Sequence, residues 1–504
     1  MTVVDTASGA VRGSVLGNGV RRFLGIPYAE PPIGVRRWLP PVTARPCTEV
    51  RDAYEYGLSA PQASNRGPFD PVGATSEDCL FLNIWTPCPN DGRRPVLVWI
   101  HGGGLRGGSA SEAASDGASF AANGDCVVVS LNYRLGALGG FIHLSALDHR
   151  RLGESANLGL LDQLLALEWV RDNITGFGGD PAQVTVAGQS SGGQSIAMLM
   201  SMPRARGLFR RAIVQSPAPT TLPEAEVSAW LAERYVAHLA AAGIDRDAVA
   251  DAPVNALIWA QATLKKETDW GPIGHPLNPV LDGAVLARQP LVAIGETAEP
   301  AVPLIVGSTR DELIQKFGIA DTEVTDRDSL AAVWQRVFPG VAPDGRPIAE
   351  RMAAAYDGEA LRHVVPQASS PVALVQADKT VRIGAIRLAE AVSATQPATF
   401  MYLFDWRSPT GLGSPHCIDI PFVFGTAATS ALGELTGKGP EVAEMTRRVQ
   451  GAWIAFVRDA TPCHDGLAHW PRYGRERRST LLLGACPAVV DDPWGAQRTA
   501  WDGC

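Results

Sequence analysis

Ser190 lies in the pentad Gly188-Gln189-Ser190-Ser191-Gly192, which follows the β-branched run Val184 to Ala187 and precedes the apolar stretch Ile196 to Met200. A G-x-S-x-G sequence between strand and helix forces a sharp turn. The glycines remove side chains that would collide, and the serine is left exposed at a helix N-terminus, where the dipole favours developing negative charge. In a chain with 52 glycines the pentad alone also fits an ordinary turn, so its surroundings must decide. A second motif, His101-Gly102-Gly103-Gly104, follows the run Val96 to Ile100. Consecutive glycines let backbone N–H groups approach a substrate oxygen unobstructed. The expected donors to an oxyanion are the N–H groups of Gly103, Gly104 and Ser191, while His101 is expected to hydrogen-bond the loop rather than react. The chemistry indicated is acyl transfer to a serine. A serine hydroxyl needs a base to take its proton and a carboxylate to orient that base.

These motifs need rigid elements behind them. Short aliphatic runs bounded by Gly, Pro or Asn read as buried parallel strands: Val96 to Ile100, Val127 to Leu131, Val184 to Ala187 and Pro303 to Val306. Helical spacing is clearest from Gly159 to Val170, where Leu160, Leu164 and Leu167 recur. Strands alternating with helices predict an α/β, doubly wound architecture with function at the C-terminal ends of the strands. The Ala-rich segment from about Ala218 to Gln289 interrupts the strand series and is expected to cover the sheet. No linker-like stretch or repeat divides the chain, so residues 1–504 are expected to form one continuous domain.

With 504 residues, 46% of them hydrophobic, the chain can bury a large core. Its net charge of -8 and lack of Lys/Arg blocks predict no nucleic-acid partner. No apolar run reaches the ~18 residues of a membrane span, and Met1 to Asp5 do not begin a secretory leader, so a cytoplasmic protein is expected. The 8 cysteines show no C-x-x-C pair and read mostly as free thiols. None of the histidines outside the motifs has the i, i+4 pairing of a helical zinc site, and neither metal nor cofactor is expected.

The chain resembles the type-B carboxylesterases, which include bacterial para-nitrobenzyl esterases. The resemblance runs from Phe23-Leu24-Gly25-Ile26-Pro27-Tyr28-Ala29 through Ser76-Glu77-Asp78-Cys79-Leu80-Phe81-Leu82-Asn83, the HGGG run and Asn132-Tyr133-Arg134. It continues through Phe177 to Gly193, which contains the pentad, to Trp470-Pro471-Arg472-Tyr473. It implies an α/β-hydrolase fold, a mostly parallel sheet flanked by helices with helical cap insertions, and a small-molecule carboxylic ester as substrate. It also implies the chain order serine, acid, histidine. Gly307-Ser308-Thr309-Arg310-Asp311-Glu312 looks like the acid loop of that family, which implies Glu312, with Asp311 as the competitor because motif position alone separates them. Gly413 to Gly425 is similar to the family's histidine loop and implies His416. Ser216 and Gln189 would support the site, Arg37 would pair with Glu77, and Arg134 with Asp180.

The sequence also departs from that family. Gln189 stands where a glutamate is usual, removing a charge but keeping hydrogen-bonding capacity. Ala60 occupies the position of a cysteine that would bridge to Cys79, so that bridge is not expected. The stretch Pro61 to Thr75 lacks the tryptophan that cholinesterases present to a quaternary ammonium and carries Arg66. Neutral esters with short to medium acyl chains are therefore expected, with Leu105 and Phe422 as pocket walls by motif position. The same site would also suit a carbamate or amide hydrolase, an acyltransferase or a biosynthetic tailoring enzyme. A non-catalytic binding protein fits less well with the complete set of motifs.

Overall fold

The computed structural model describes residues 2–63, 72–90, 92–147, 149, 151–218, 220–268, 275–297, 301–312, 332, 334–335, 338, 340–341, 345–356, 371–467 and 469–503. In chain order the strands are β1 Thr2–Thr6, β2 Gly9–Val15, β3 Arg21–Pro27, β4 Arg51–Asp52, β5 Phe81–Thr86, β6 Arg94–Ile100, β7 Val127–Leu131, β8 Gly179–Gln189, β9 Arg211–Gln215, β10 Leu304–Thr309, β11 Thr399–Asp405, β12 Ser479–Gly484 and β13 Ala488–Asp491. They form a sheet of 13 strands among the described residues, ordered β1-β2-β3-β5-β7-β6-β8-β9-β10-β11-β12-β13, with β4 beside β2. From β7 to β12 every pairing is parallel. The outer pairings β1–β2, β2–β3, β3–β5, β5–β7 and β12–β13 are antiparallel.

The four strands expected from the sequence all belong to this parallel block, and three of them run longer than their aliphatic runs. Strand β8 shows why: its hydrophobic run occupies only part of a strand that extends from Gly179 to Gln189. Alternate side chains of a strand point to opposite faces, and here both faces are covered. Val96, Val98 and Ile100 of β6 join one buried cluster. Leu97 and Trp99 join the other.

Helix α1, Leu158–Asn173, is buried on nearly every side, including the polar Asp162 and Gln163. Helix α2, Ser191–Ser201, starts directly from the pentad. The segment after β9 carries α3, Ala225–Ala241, and α4, Val254–Thr268, which pack on each other. On the opposite face α5, Pro440–Asp459, buries Met445, Val449, Trp453 and Phe456. Among the described residues no helix is long and apolar enough to cross a membrane.

The strand order reverses at β6. The chain moves outward from β6 to β7 in one direction, then returns to β8 and proceeds through β9 and β10 in the other. Loops leaving the C-terminal ends of β6 and β8 therefore diverge and leave a crevice between them, the position where open α/β sheets bind ligands. The His101 loop follows β6 and the Ser190 turn follows β8.

Candidate active site

Ser190 adopts φ 59° and ψ −124°, a conformation an L-residue enters only under constraint and one that costs ~1–3 kcal/mol. Neighbouring backbone provides the constraint. Ser190 N–H donates to the Gln215 carbonyl at 2.9 Å, and the Ser190 carbonyl accepts from Gln194 N–H at 2.9 Å and from Ala218 N–H at 3.1 Å. The turn also presses against β6: a Cβ placed on Gly192 would lie 2.1 Å from the Ile100 carbonyl oxygen, so only glycine fits there.

Two further loops are joined by their backbones. His416 N–H donates to the Glu312 carbonyl at 2.8 Å, and Asp311 N–H donates to the Ser414 carbonyl at 3.0 Å. This brings the loop after β10 against the loop after β11. Glu312 Oε1 accepts from Thr309 N–H at 2.7 Å, and Oε2 accepts a short hydrogen bond from His416 Nδ1. That bond places the imidazole proton on Nδ1 and leaves Nε2 unprotonated. Asp311 turns the other way. Its Oδ2 accepts from Ser414 N–H at 2.7 Å and lies 3.5 Å from Arg310 Nε, so it fastens the loop that carries the histidine.

The loop after β6 completes the arrangement. Gly103 has φ 118°, and a Cβ there would lie 2.0 Å from the Gly107 carbonyl oxygen. Among the described residues, the N–H groups of Gly103, Gly104 and Ser191 take no acceptor from the protein. His101 stacks on Tyr133, and its Nδ1 lies 2.9 Å from the Gly102 carbonyl, the loop-bonding place expected for it. Ser190, His416, Gly102 and Gly103 line one cleft, together with Trp99, Glu112, Ser115, Gln189, Cys417, Ile420 and Leu432.

A serine on a strained strand-to-helix turn, an imidazole oriented by a buried carboxylate and a glycine loop facing both is equipment for acyl transfer. The sequence model of the Carboxylesterase family matches residues 1–500. The chain belongs to this family. It is 36% identical to the para-nitrobenzyl esterase of Bacillus subtilis (strain 168), over 98% of this chain and 97% of that one. It is also 36% identical to the phenmedipham hydrolase of Pseudarthrobacter oxydans, over 96% and 95% respectively. Among solved structures it superposes on a thermophilic PNB esterase with a TM-score of 0.86 and 34% identity, covering 99% of both chains. The fold is accordingly the α/β-hydrolase fold, and the protein is a carboxylic ester hydrolase.

Several residues of the esterase stand elsewhere than their motifs suggest. Leu105, expected on the cleft wall, is 1% exposed with φ 56° and packs into the core, its carbonyl accepting Gly136 N–H at 2.6 Å. Phe422 is likewise buried, against Phe404 and Trp406. The apolar walls are Trp99, Ile420 and Leu432 instead. Ser216 is buried with φ 44°, but its hydroxyl has no partner among the described residues; the segment reaches Ser190 through the Gln215 carbonyl. Arg37 pairs with Glu77 through two bonds of 2.6 and 2.7 Å, as expected. Arg134 instead binds Asp162 of α1 at 2.7 and 2.9 Å, while Asp180 takes Arg93 at 3.2 Å. The reason is directional. Arg134 follows the C-terminal end of β7, whereas Asp180 begins β8, which lies parallel to β7 in the sheet and puts the two at opposite edges. Arg66 and its neighbours at 64–71 lie outside the described residues.

The electrostatics of the esterase site are dominated by burial and acidic neighbours. Burial opposes a charged His416, but the neighbouring Cys417 and Glu312 outweigh it and raise the imidazole pKa. Asp419, fully buried behind the histidine, has its carboxyl pushed up to about 6, chiefly by desolvation. Its Oδ2 accepts from Gln215 Nε2 at 2.8 Å and from the Tyr402 hydroxyl at 3.2 Å. Glu112, Cys417 and Asp419 were not singled out from sequence. Cys417 and Asp419 follow His416 closely enough to have been suspected, whereas Glu112 carries no motif signal.

Proposed function

We propose that Ser190, His416 and Glu312 act as nucleophile, base and orienting acid in two-step ester hydrolysis. Ser190 Oγ attacks the ester carbonyl as its proton passes to His416 Nε2, and the oxyanion is held by the N–H groups of Gly103, Gly104 and Ser191. The imidazolium then protonates the departing alcohol. Water, deprotonated by the same nitrogen, attacks the acyl-serine and releases the acid, while Glu312 stabilises each imidazolium. The observation that carries this reading is the His416 Nδ1 bond to Glu312, which leaves Nε2 as the basic nitrogen of an imidazole that lines the same cleft as Ser190. Ser190→Ala is expected to lower kcat on a p-nitrophenyl ester by on the order of 10⁴-fold while leaving the melting curve in place. Residual turnover above that level in a preparation free of contaminating esterase would overturn the assignment.

The same reading assigns neutral esters with short to medium acyl chains. Apolar walls from Trp99, Ile420 and Leu432 beside the polar reacting groups suit a small neutral ester. Across acetyl, butyryl, octanoyl and palmitoyl p-nitrophenyl esters, kcat/KM is expected to peak before palmitoyl, and a maximum at palmitoyl would reverse the assignment. The cytoplasm is the site of action in this reading. It is supported by Cys47, Cys79, Cys88, Cys126, Cys417, Cys463 and Cys486, which are unpaired thiols suited to a reducing compartment. Cell fractionation that recovers the activity outside the cytoplasm would contradict it.

A further inference from the structure

Gln189 is the last residue of β8 and is 2% exposed. Its Nε2 lies 3.1 Å from His416 Nε2 and 3.4 Å from Nδ1, and its Oε1 accepts from Cys417 Sγ at 3.2 Å. The Cys417 S–H donates to the amide carbonyl, a better acceptor for it than an N–H, and the NH₂ group faces the imidazole. Among the described residues the Ser190 hydroxyl makes no hydrogen bond to His416, and the amide nitrogen lies over the ring, close to both of its nitrogens.

The groups around the imidazole otherwise favour its charged form. Glu312 faces it from the loop after β10, and Cys417 and Asp419 from its own loop. Glu112 lines the same cleft from the loop after β6, and Tyr402 of β11 stands behind, donating to Asp419. A base surrounded in this way would stay protonated into the range where it must be neutral. The positive end of the Gln189 amide dipole opposes them, because a donor directed at the ring stabilises the neutral imidazole and repels the imidazolium.

We propose that Gln189, oriented by Cys417, is a positioning residue that disfavours the imidazolium form of His416 and so carries the activity of the esterase to lower pH than a carboxylate at this position would allow. The proposal rests on the triad reading above. To favour the protonated ring the amide must turn over and offer its carbonyl, and this exchanges the S–H bond from Cys417 for a weaker N–H contact to its sulfur.

The test is the acid limb of kcat/KM on a neutral p-nitrophenyl ester, compared among wild type, Gln189→Glu, Cys417→Ala and Cys417→Ser. In Gln189→Glu the midpoint is expected to move up by about one pH unit or more, since a carboxylate beside the ring favours the charged form. Both Cys417 variants lose the sulfur that favours the charged ring, but only in Cys417→Ala is the amide free to turn, so its midpoint is expected to lie above that of Cys417→Ser. In Cys417→Ser a hydroxyl donor restores the orientation. An unmoved or lowered limb in Gln189→Glu overturns the proposal, as does identical behaviour of the two Cys417 variants. NMR titration of His416 in a Ser190→Ala background is expected to give the same order of midpoints without relying on turnover, and a different order rejects the proposal. If Ser190→Ala retains turnover the triad reading itself fails. If it is inactive and the limb does not move, only the role of Gln189 is lost.

Discussion

Asp311 and Glu312 are adjacent carboxylates that face different partners. Glu312 holds Thr309 N–H and His416 Nδ1, while Asp311 holds Ser414 N–H. Glu312→Gln removes the charge that stabilises the imidazolium and is expected to cut kcat by roughly 10²–10⁴-fold. It should also lower the acid limb of kcat/KM, because Glu312 is among the charges that raise the His416 pKa. The sign follows from the base being required neutral: activity rises with pH through that pKa, so a lower pKa moves the limb down. Asp311→Asn keeps an acceptor for Ser414 and is expected to change kcat far less. Steady-state kinetics on both variants across pH check this, and a larger loss in Asp311→Asn would exchange the two roles. Sequence alone left this pair open because neighbouring side chains diverge only once the loop has a conformation. Leu105 and Phe422 are buried for a related reason: position in a motif says that a residue is near a site, whereas the folded loop decides which way it points.

Parallel strands were the elements most legible in the sequence, because burial on both faces leaves unbroken aliphatic runs such as Val127 to Leu131. Antiparallel strands β1 to β3 lack such a run. Their faces are only partly covered, and Gly9–Val15 mixes charged, small and apolar residues. Strand polarity is also what placed Arg134 beside Asp162 instead of Asp180. That ion pair ties the loop after β7 to α1 with side chains only 3% and 0% exposed. Removing one member leaves a buried charge uncompensated, so Asp162→Ala is expected to cost about 3–5 kcal/mol. Urea denaturation with an unchanged slope would measure it, and a loss below ~1 kcal/mol would mean that the Leu39 carbonyl and water suffice for Arg134.

Across the whole molecule, the cleft draws its lining from loops that follow β6, β8 and β11, with the acid supplied after β10. These strands belong to one parallel block with β9 between β8 and β10, yet β10 and β11 are far apart in the chain and meet through their pairing, Leu304 opposite Thr399 through Thr309 opposite Phe404. During synthesis the N-terminal part of the sheet, with the serine turn and the glycine loop, leaves the ribosome long before residue 416. A nascent or truncated chain ending before β11 therefore carries a nucleophile without its base. It can pair strands and bury apolar surface, but it cannot turn over an ester, so hydrolytic activity reports that the late strand β11 has docked beside β10. The order of the chain thus sets a sequence of events in time, with the serine turn and the glycine loop built first and the base, together with the Ile420 and Leu432 walls, last.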